Sequence, residues 1–345
     1  MSIRRIILFT AAVAVVPLLV LSELPGSSAH NSNQAKRVPL TVLESSNAPI
    51  ISESTETALL GSSEDGQSIY SLGTMTGALF VYDRKNNLLR KASHTVSKTE
   101  SFTVGPQEDL YLGHSDSTVQ IVNSEGRRLN RFPTVYPRSI AVLSNGNIVV
   151  ASSFDGKLLH LYSNQGVLLG RFGELRTFDS HPVQNEFLNL GKVIIGEGDV
   201  IYYVSTHAPE PYGLRFSSEG ELLGEFQIEG DAIHFQTDLT KKFLSGKKAE
   251  ENGGFTIITA ATVNRETGHL FLGMNSVSTQ GTVYEYDQTG TKVREYALVL
   301  NSNNKRHNVT DVKDIVVNSD SLTVLTGGGT YSLKFSDMRR GTPSP

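Results

Sequence analysis

Short apolar or alternating runs of four to six residues recur along this chain, separated by Asn-Gly, Asp-Gly or four-residue turns that end in Gly. Such runs are too short for helices and carry the period of β-strands. The clearest copy spans residues 138–172. It contains Ile140-Ala-Val142, then Asn145-Gly-Asn-Ile-Val-Val-Ala151, then Leu158-Leu-His-Leu-Tyr162, a turn ending at Gly166, and Leu168-Leu-Gly-Arg-Phe172. This predicts four antiparallel strands in about 40 residues, the period of a propeller blade. The turn positions repeat: Asn87 to Gly126 is 39 residues and Gly126 to Gly166 is 40. The next intervals are 54 and 70 residues, which places insertions after the third and fourth copies. Six copies fit between residues 54 and 337, and the sixth lacks its outermost strand. Val38-Pro-Leu-Thr-Val-Leu43 is an unassigned β-prone run that can supply it, since an open sheet edge invites aggregation. The expectation is an all-β, six-bladed β-propeller of four-stranded antiparallel blades, occupying residues 38–337 and closed by an N-terminal strand.

The turns have local causes. Asn or Asp at the first position bonds its own turn backbone, and Gly at the fourth takes positive φ. The third copy resembles the NHL repeat in Ile140-Ala-Val142, Asn145-Gly-Asn-Ile-Val-Val-Ala-Ser152 and Leu161-Tyr-Ser-Asn-Gln-Gly166. The other copies keep the skeleton and drift, with Ser152 or Gly113 where the motif has Asp. The resemblance implies a six-bladed NHL-like propeller. Such propellers serve as protein-binding modules, sensors, RNA binders, lactonases and lyases, so fold alone does not fix function.

Before the repeats, Arg4-Arg5, the apolar stretch Ile6–Leu21, Pro25-Gly26 and Ser27-Ser-Ala29 have the order of a secretory signal peptide over residues 1–29. An uncleaved anchor is the rival reading, though the stretch is short and contains Pro17. Residues 30–37 read as a flexible linker and 338–345 as a disordered tail. The expected location is secreted or periplasmic, with no stable membrane insertion after cleavage. The chain has no Cys, which excludes disulfides, thiolate metal sites and a lipoprotein anchor. It has no Trp, so a tryptophan lock between blades is excluded. A net charge of −4 without a basic stripe argues against a nucleic-acid partner.

Function in a propeller sits in loops. The loops between second and third strands, and the crossovers from one blade to the next, should share one face. The insertions 173–187, 227–254 and 298–309 are crossovers and fall on that face, with 241–254 expected to be disordered. The candidate ligand-binding residues there are His114, Asp116, Asp155, His181, His207, Glu210, Tyr212 and Asn275. Thr206-His-Ala-Pro-Glu-Pro-Tyr212 is the most distinctive loop, because two prolines stiffen a segment carrying a His, a carboxylate and a Tyr. No nucleophile elbow or phosphate loop is present. The nine histidines include no close pair on one element, which leaves no zinc pattern. Glu56, Asn189, Asp311 and Asp314 lie near inner strands and are the oxygen ligands available to an axial Ca²⁺. The expectation is a monomeric, non-catalytic binding or scaffold propeller without a cofactor, recognising a protein, peptide or glycan. The alternative is a secreted hydrolase, lactonase or lyase with an axial divalent metal.

Overall fold

The computed structural model describes residues 40–45, 58–74, 76–83, 87–93, 98–178, 184–245, 256–274, 281–302, 305–309, 311–327, 329–337 and 339–340. Leu40–Ser45 forms β1. The first blade is Ala58–Ser62 (β2), Ser68–Gly73 (β3), Ala78–Asp83 (β4) and Leu88–Ser93 (β5). The second is Thr99–Val104 (β6), Leu110–His114 (β7), Thr118–Val122 (β8) and Arg128–Pro133 (β9). The third is Ser139–Val142 (β10), Ile148–Ala151 (β11), Lys157–Tyr162 (β12) and Leu168–Glu174 (β13). A one-turn helix, Asn185–Leu188 (α1), leads into the fourth: Gly191–Ile195 (β14), Ile201–Ser205 (β15), Tyr212–Phe216 (β16) and Leu222–Gln227 (β17). Helix Asp231–Leu244 (α2) precedes the fifth: Ile258–Val263 (β18), Leu270–Met274 (β19), Thr282–Tyr286 (β20) and Lys292–Ser302 (β21). Lys305–Asn308 (β22) folds back on β21. The last blade is Asp314–Val317 (β23), Ser321–Thr326 (β24) and Gly329–Lys334 (β25), followed by Arg339–Arg340 (β26).

The inner strands β2, β6, β10, β14, β18 and β23 adjoin in chain order, and β23 returns to β2. The molecule is therefore a closed six-bladed β-propeller, as the repeats predict. Its middle strands are buried on both faces. Strands β7, β11, β15 and β19 have no exposed residue, which explains their continuous apolar runs.

The turns between third and fourth strands are built alike. Asn123 Oδ1 accepts the amides of Glu125 and Arg127, and Asp287 Oδ1 those of Thr289 and Thr291. Ser163 and Ser217 do the same through Oγ. The third-to-fourth-strand hairpins of the first five blades each carry a register shift at or one residue before the end of the third strand, at Tyr82, Val122, Tyr162, Phe216 and Tyr286. The turn glycines have a second duty. Gly166, Gly220 and Gly290 have φ of +83°, +91° and +88°, and a Cβ on any of them would strike the ring of Phe132, Phe172 or Phe226 respectively. Each Phe closes the outer strand of the preceding blade. The same rings lie 5.3, 5.1 and 5.9 Å from Tyr162, Phe216 and Tyr286 of the following blade. A phenylalanine seated on the next blade's turn glycine thus holds neighbouring blades together where no tryptophan is available.

The N-terminal strand joins the ring with partners other than those expected. β1 runs parallel to β21, Leu40 beside Glu295 through Ser45 beside Leu300. Its other edge pairs antiparallel with β26. Among the described residues no ladder joins it to β25, although it lies alongside that strand, and the last blade keeps three strands in its own sheet. The cause is the length of β21. Its eleven residues offer an outer edge with room for a six-residue ladder, and main-chain groups at such an edge need partners. Arg339–Arg340, expected in a disordered tail, are strand for the same reason. A chain beginning at residue 38 should melt like one beginning at residue 30. A chain beginning at residue 46 should melt several degrees lower, at about 2–4 °C per kcal/mol lost, and aggregate through the bared edge. Equal melting curves for all three would remove β1 from the closure.

One further expectation changes. Residues 231–244 form a helix, including Lys241–Leu244 that composition had assigned to disorder. Ile233 and Leu244 are buried, and Gln236, Thr237 and Thr240 with them, so burial rather than propensity holds this helix. Residues 246–255 lie outside the described residues, as do the signal segment, the linker, His181 and Asn275. Among the described residues no helix is long and apolar enough to cross a membrane.

Candidate functional site at the axial mouth

The loops β3–β4, β7–β8, β11–β12 and β15–β16 and the blade crossovers share one face, which also receives α1 and α2. The sequence-predicted residues on it divide into three separate groups, and no hydrogen bond joins one group to another among the described residues.

In the second blade His114 is wholly buried at the end of β7. Asp116 is exposed and accepts from Thr118 Oγ1 at 2.6 Å and from Arg131. The Thr118 bond, with Arg131 and His114 nearby, holds its carboxyl below the usual range. In the third blade Asp155 accepts from the buried His160 at 2.7 Å, with Arg171 at 3.5 Å. In the fourth, only Glu210 is presented to solvent. It pairs with Lys241 of α2 at 2.6 Å, and that bond lowers its pKa.

His207 and Tyr212 turn inward, contrary to the expectation that their stiff loop displays them. The prolines position the loop over a buried polar network instead. Thr206 Oγ1 donates to Leu190 O, so it accepts from His207 Nδ1 at 2.7 Å. Thr256 Oγ1 lies 2.9 Å from His207 Nε2 and donates to it. Phe187 stands edge-on to the imidazole at 4.5 Å. Burial, aided by the charge of Arg138, pulls the His207 pKa down to about 3. The ring is a neutral structural group with both nitrogens spent. Tyr212 is wholly buried beneath Arg176, whose guanidinium lies 3.5 Å above the ring, and burial pushes its phenol up to about 12. Its hydroxyl donates to Asn189 Oδ1 at 3.1 Å. Asn189 also accepts the Arg176 amide and donates to the carbonyls of Arg176 and Asn185, so it is saturated.

The remaining candidate ligands for an axial cation are similarly engaged. Asp314 accepts the amides of Leu60 and Ile315, and Asp311 accepts that of Gly327. Glu56 lies outside the described residues. Among the described residues, no three His, Asp or Glu side chains converge as a metal site.

What the loops do converge on is the ring axis. A cavity of about 140 Å³ runs between the inner strands and is lined from all six blades. Glu100, Arg138, Lys192 and Asp314 stand at its crossover-face mouth, each at the start of an inner strand. Arg138 Nη1 is 3.4 Å from Glu100, and Lys98 is 3.2 Å from the other oxygen of Glu100. Lys192 is 3.7 Å from Asp314. Arg138 also stacks on Tyr136 at 5.1 Å, and Tyr136 meets the exposed Phe154 edge-on at 5.5 Å. Of these, sequence reading had singled out only Asp314. The signal was present: charged residues at matching positions opening strands that are otherwise apolar or small. The opposite mouth, a cavity of about 360 Å³, carries Glu64, Glu197 and Asp199 against Arg265.

This architecture and mouth define a six-bladed β-propeller with a polar axial opening. Among solved structures the chain is similar to virginiamycin B lyase from Staphylococcus aureus, with a TM-score of 0.52 and 9% identity over 82% of this chain and 96% of that one. It is also similar to Kuenenia stuttgartiensis hydrazine synthase, with a TM-score of 0.51 and 8% identity over 87% and 77%. At these identities the likeness is one of fold. No protein-family model and no curated protein matches the chain, so the NHL resemblance stands on the third blade's motif alone.

Proposed function

We propose that this chain is an exported, monomeric, non-catalytic binding propeller that holds a protein, peptide or glycan partner on its crossover face. One observation carries the reading. His207 and Tyr212 of that face are sealed into internal bonds and its exposed carboxylates Asp116 and Glu210 are paired with Arg131 and Lys241, whereas the charged and aromatic groups at the axial mouth remain partly open to solvent. A site built for proton transfer keeps a titratable group accessible to substrate. A recognition site keeps charge and aromatic surface accessible instead. The Arg-flanked apolar run at 4–21 supports export.

The test is crosslinking capture from the exterior fraction of the source cells. Wild type and a triple variant of the opposite turns, Glu125→Ala, Glu219→Ala and Gln288→Ala, should capture the same partner. A crossover-face variant, Arg138→Ala with Phe154→Ala, should lose it. Loss with the turn variant alone would move the binding face to the other side. Stoichiometric divalent metal in the purified protein would instead favour a metal-dependent enzyme.

A further inference from the structure

We infer that the crossover-face mouth is a receptor for the C-terminal carboxylate of a peptide, with Arg138 as its principal anion donor. This rests on the reading of that face as the binding face and names what is bound there.

The charges are arranged for an anion. Lys98, Arg138 and Lys192 face Glu100 and Asp314 at this mouth. Three cations face two carboxylates, which leaves one formal positive charge in excess, and two main-chain amides hold Asp314 in place. The opposite mouth has the reverse balance, three carboxylates against Arg265. The axis is therefore polarised from end to end, and a narrow channel with low-dielectric walls concentrates such a field. An anion is drawn to the crossover mouth and repelled from the other.

Arg138 has the capacity to take it. Its contacts with Glu100 and Tyr136 both use Nη1, and no described residue bonds its Nε or Nη2. A guanidinium with one side unspent presents the fork that binds a carboxylate through two parallel hydrogen bonds. Its contact with Tyr136 holds the guanidinium over that ring before a ligand arrives. Lys192 lines the same opening on the adjoining inner strand, where Val193 N donates to Ser139 Oγ, and it offers a second positive charge.

The remaining features select a peptide end. The cavity is close to the size, about 150 Å³, that accepts a benzene-sized group. It admits a terminal residue and excludes a folded surface. Beside the mouth, Tyr136 lies under Arg138 and meets the exposed Phe154 edge-on, an aromatic pair that offers contact to an apolar last side chain. Every inner strand is the end of its sheet. Leu60, Ile315 and Val193 spend their amides on the Asp314 and Ser139 side chains, and an entering main chain would pair with the remaining edge groups, as in strand addition.

The probes are acetyl-Gly-Ala-Phe as the free acid, the same peptide as its C-terminal amide, and galacturonic acid, titrated into the full mature chain by calorimetry. The free acid should bind at least about tenfold more tightly than the amide, the loss expected when a charge-assisted bond is removed. Its affinity should fall as salt is raised. Arg138→Lys should weaken it about tenfold by removing the fork, and Arg138→Gln should weaken it further. Arg265→Gln, at the other mouth, should leave it unchanged. Equal binding of acid and amide overturns the proposal without need of any variant. Binding of galacturonic acid but not the peptide replaces the peptide with an acidic sugar. If neither probe binds while crosslinking capture still depends on Arg138 and Phe154, the carboxylate receptor fails and the binding face survives.

Discussion

Replacing Phe226 with Ala is expected to cost about 3–5 kcal/mol of unfolding free energy, the usual penalty for emptying a buried aromatic site. Phe226 is 7% exposed at the end of β17. Its ring lies over Gly213 of its own blade, over the turn glycine Gly290 of the next, and 5.9 Å from Tyr286. The site is rigid on each side, because it is walled by main chain at two glycines and cannot collapse inward. Gly290→Ala should approach the same loss from the other partner, since a methyl would meet the ring and φ is +88°. Leu223→Ala, in the same strand but 51% exposed, should change stability by less than about 0.5 kcal/mol. Urea titrations of the three variants decide this. If Phe226→Ala behaved like Leu223→Ala, the phenylalanine would be a bystander and another contact would hold the blades.

The second large effect is acid lability centred on His207. Its pKa is about 3 in the folded chain against 6.5 for the free group. Between those values the unfolded chain carries a proton that the folded chain refuses. Stability is therefore complete above pH 6.5 and falls as pH drops towards 3, by about 1.4 kcal/mol per unit at the steepest. Protonating Nε2 would also remove the acceptor that Thr256 uses. His207→Gln retains amide groups for the threonines but binds no proton, so its stability curve should be flatter than wild type between pH 6.5 and 4. At neutral pH it should be somewhat less stable. Parallel slopes for the two proteins across this window would show that His207 does not set the acid limit.

The ring was legible because its determinants are local. Alternation, Asn-Gly turns and positive-φ glycines act within four to eight residues, so residues 138–172 declare a blade without help from the rest. The partners of β1 were not legible, because nothing near Leu40 distinguishes an edge at β21 from one at β25. The end of helix α2 was hidden by the Lys, Glu and Gly content of 241–254, since its formation depends on where Ile233 and Leu244 are buried. The site was legible as a face but not as a set of residues. His207 and Tyr212 drew notice by their chemistry, and burial had already consumed it. Arg138 and Lys192 drew none, because a single cation at the start of a strand gains meaning only when six such starts are brought around one axis.

The pairing of β1 with β21 also sets an order of events during synthesis. Leu40 leaves the ribosome early, and its partner Glu295 follows about 255 residues later. The central blades hold mostly neighbouring contacts and can form as they emerge. β1 cannot, and it must wait unpaired until nearly the whole ring exists. Long-range closures of this kind are slow. An exposed strand that waits is a natural handle for a holding chaperone or a nascent aggregate. The ladder therefore acts as a completion signal. It can form only on a chain that has been made through β21, and a truncated product would remain marked by its open strand.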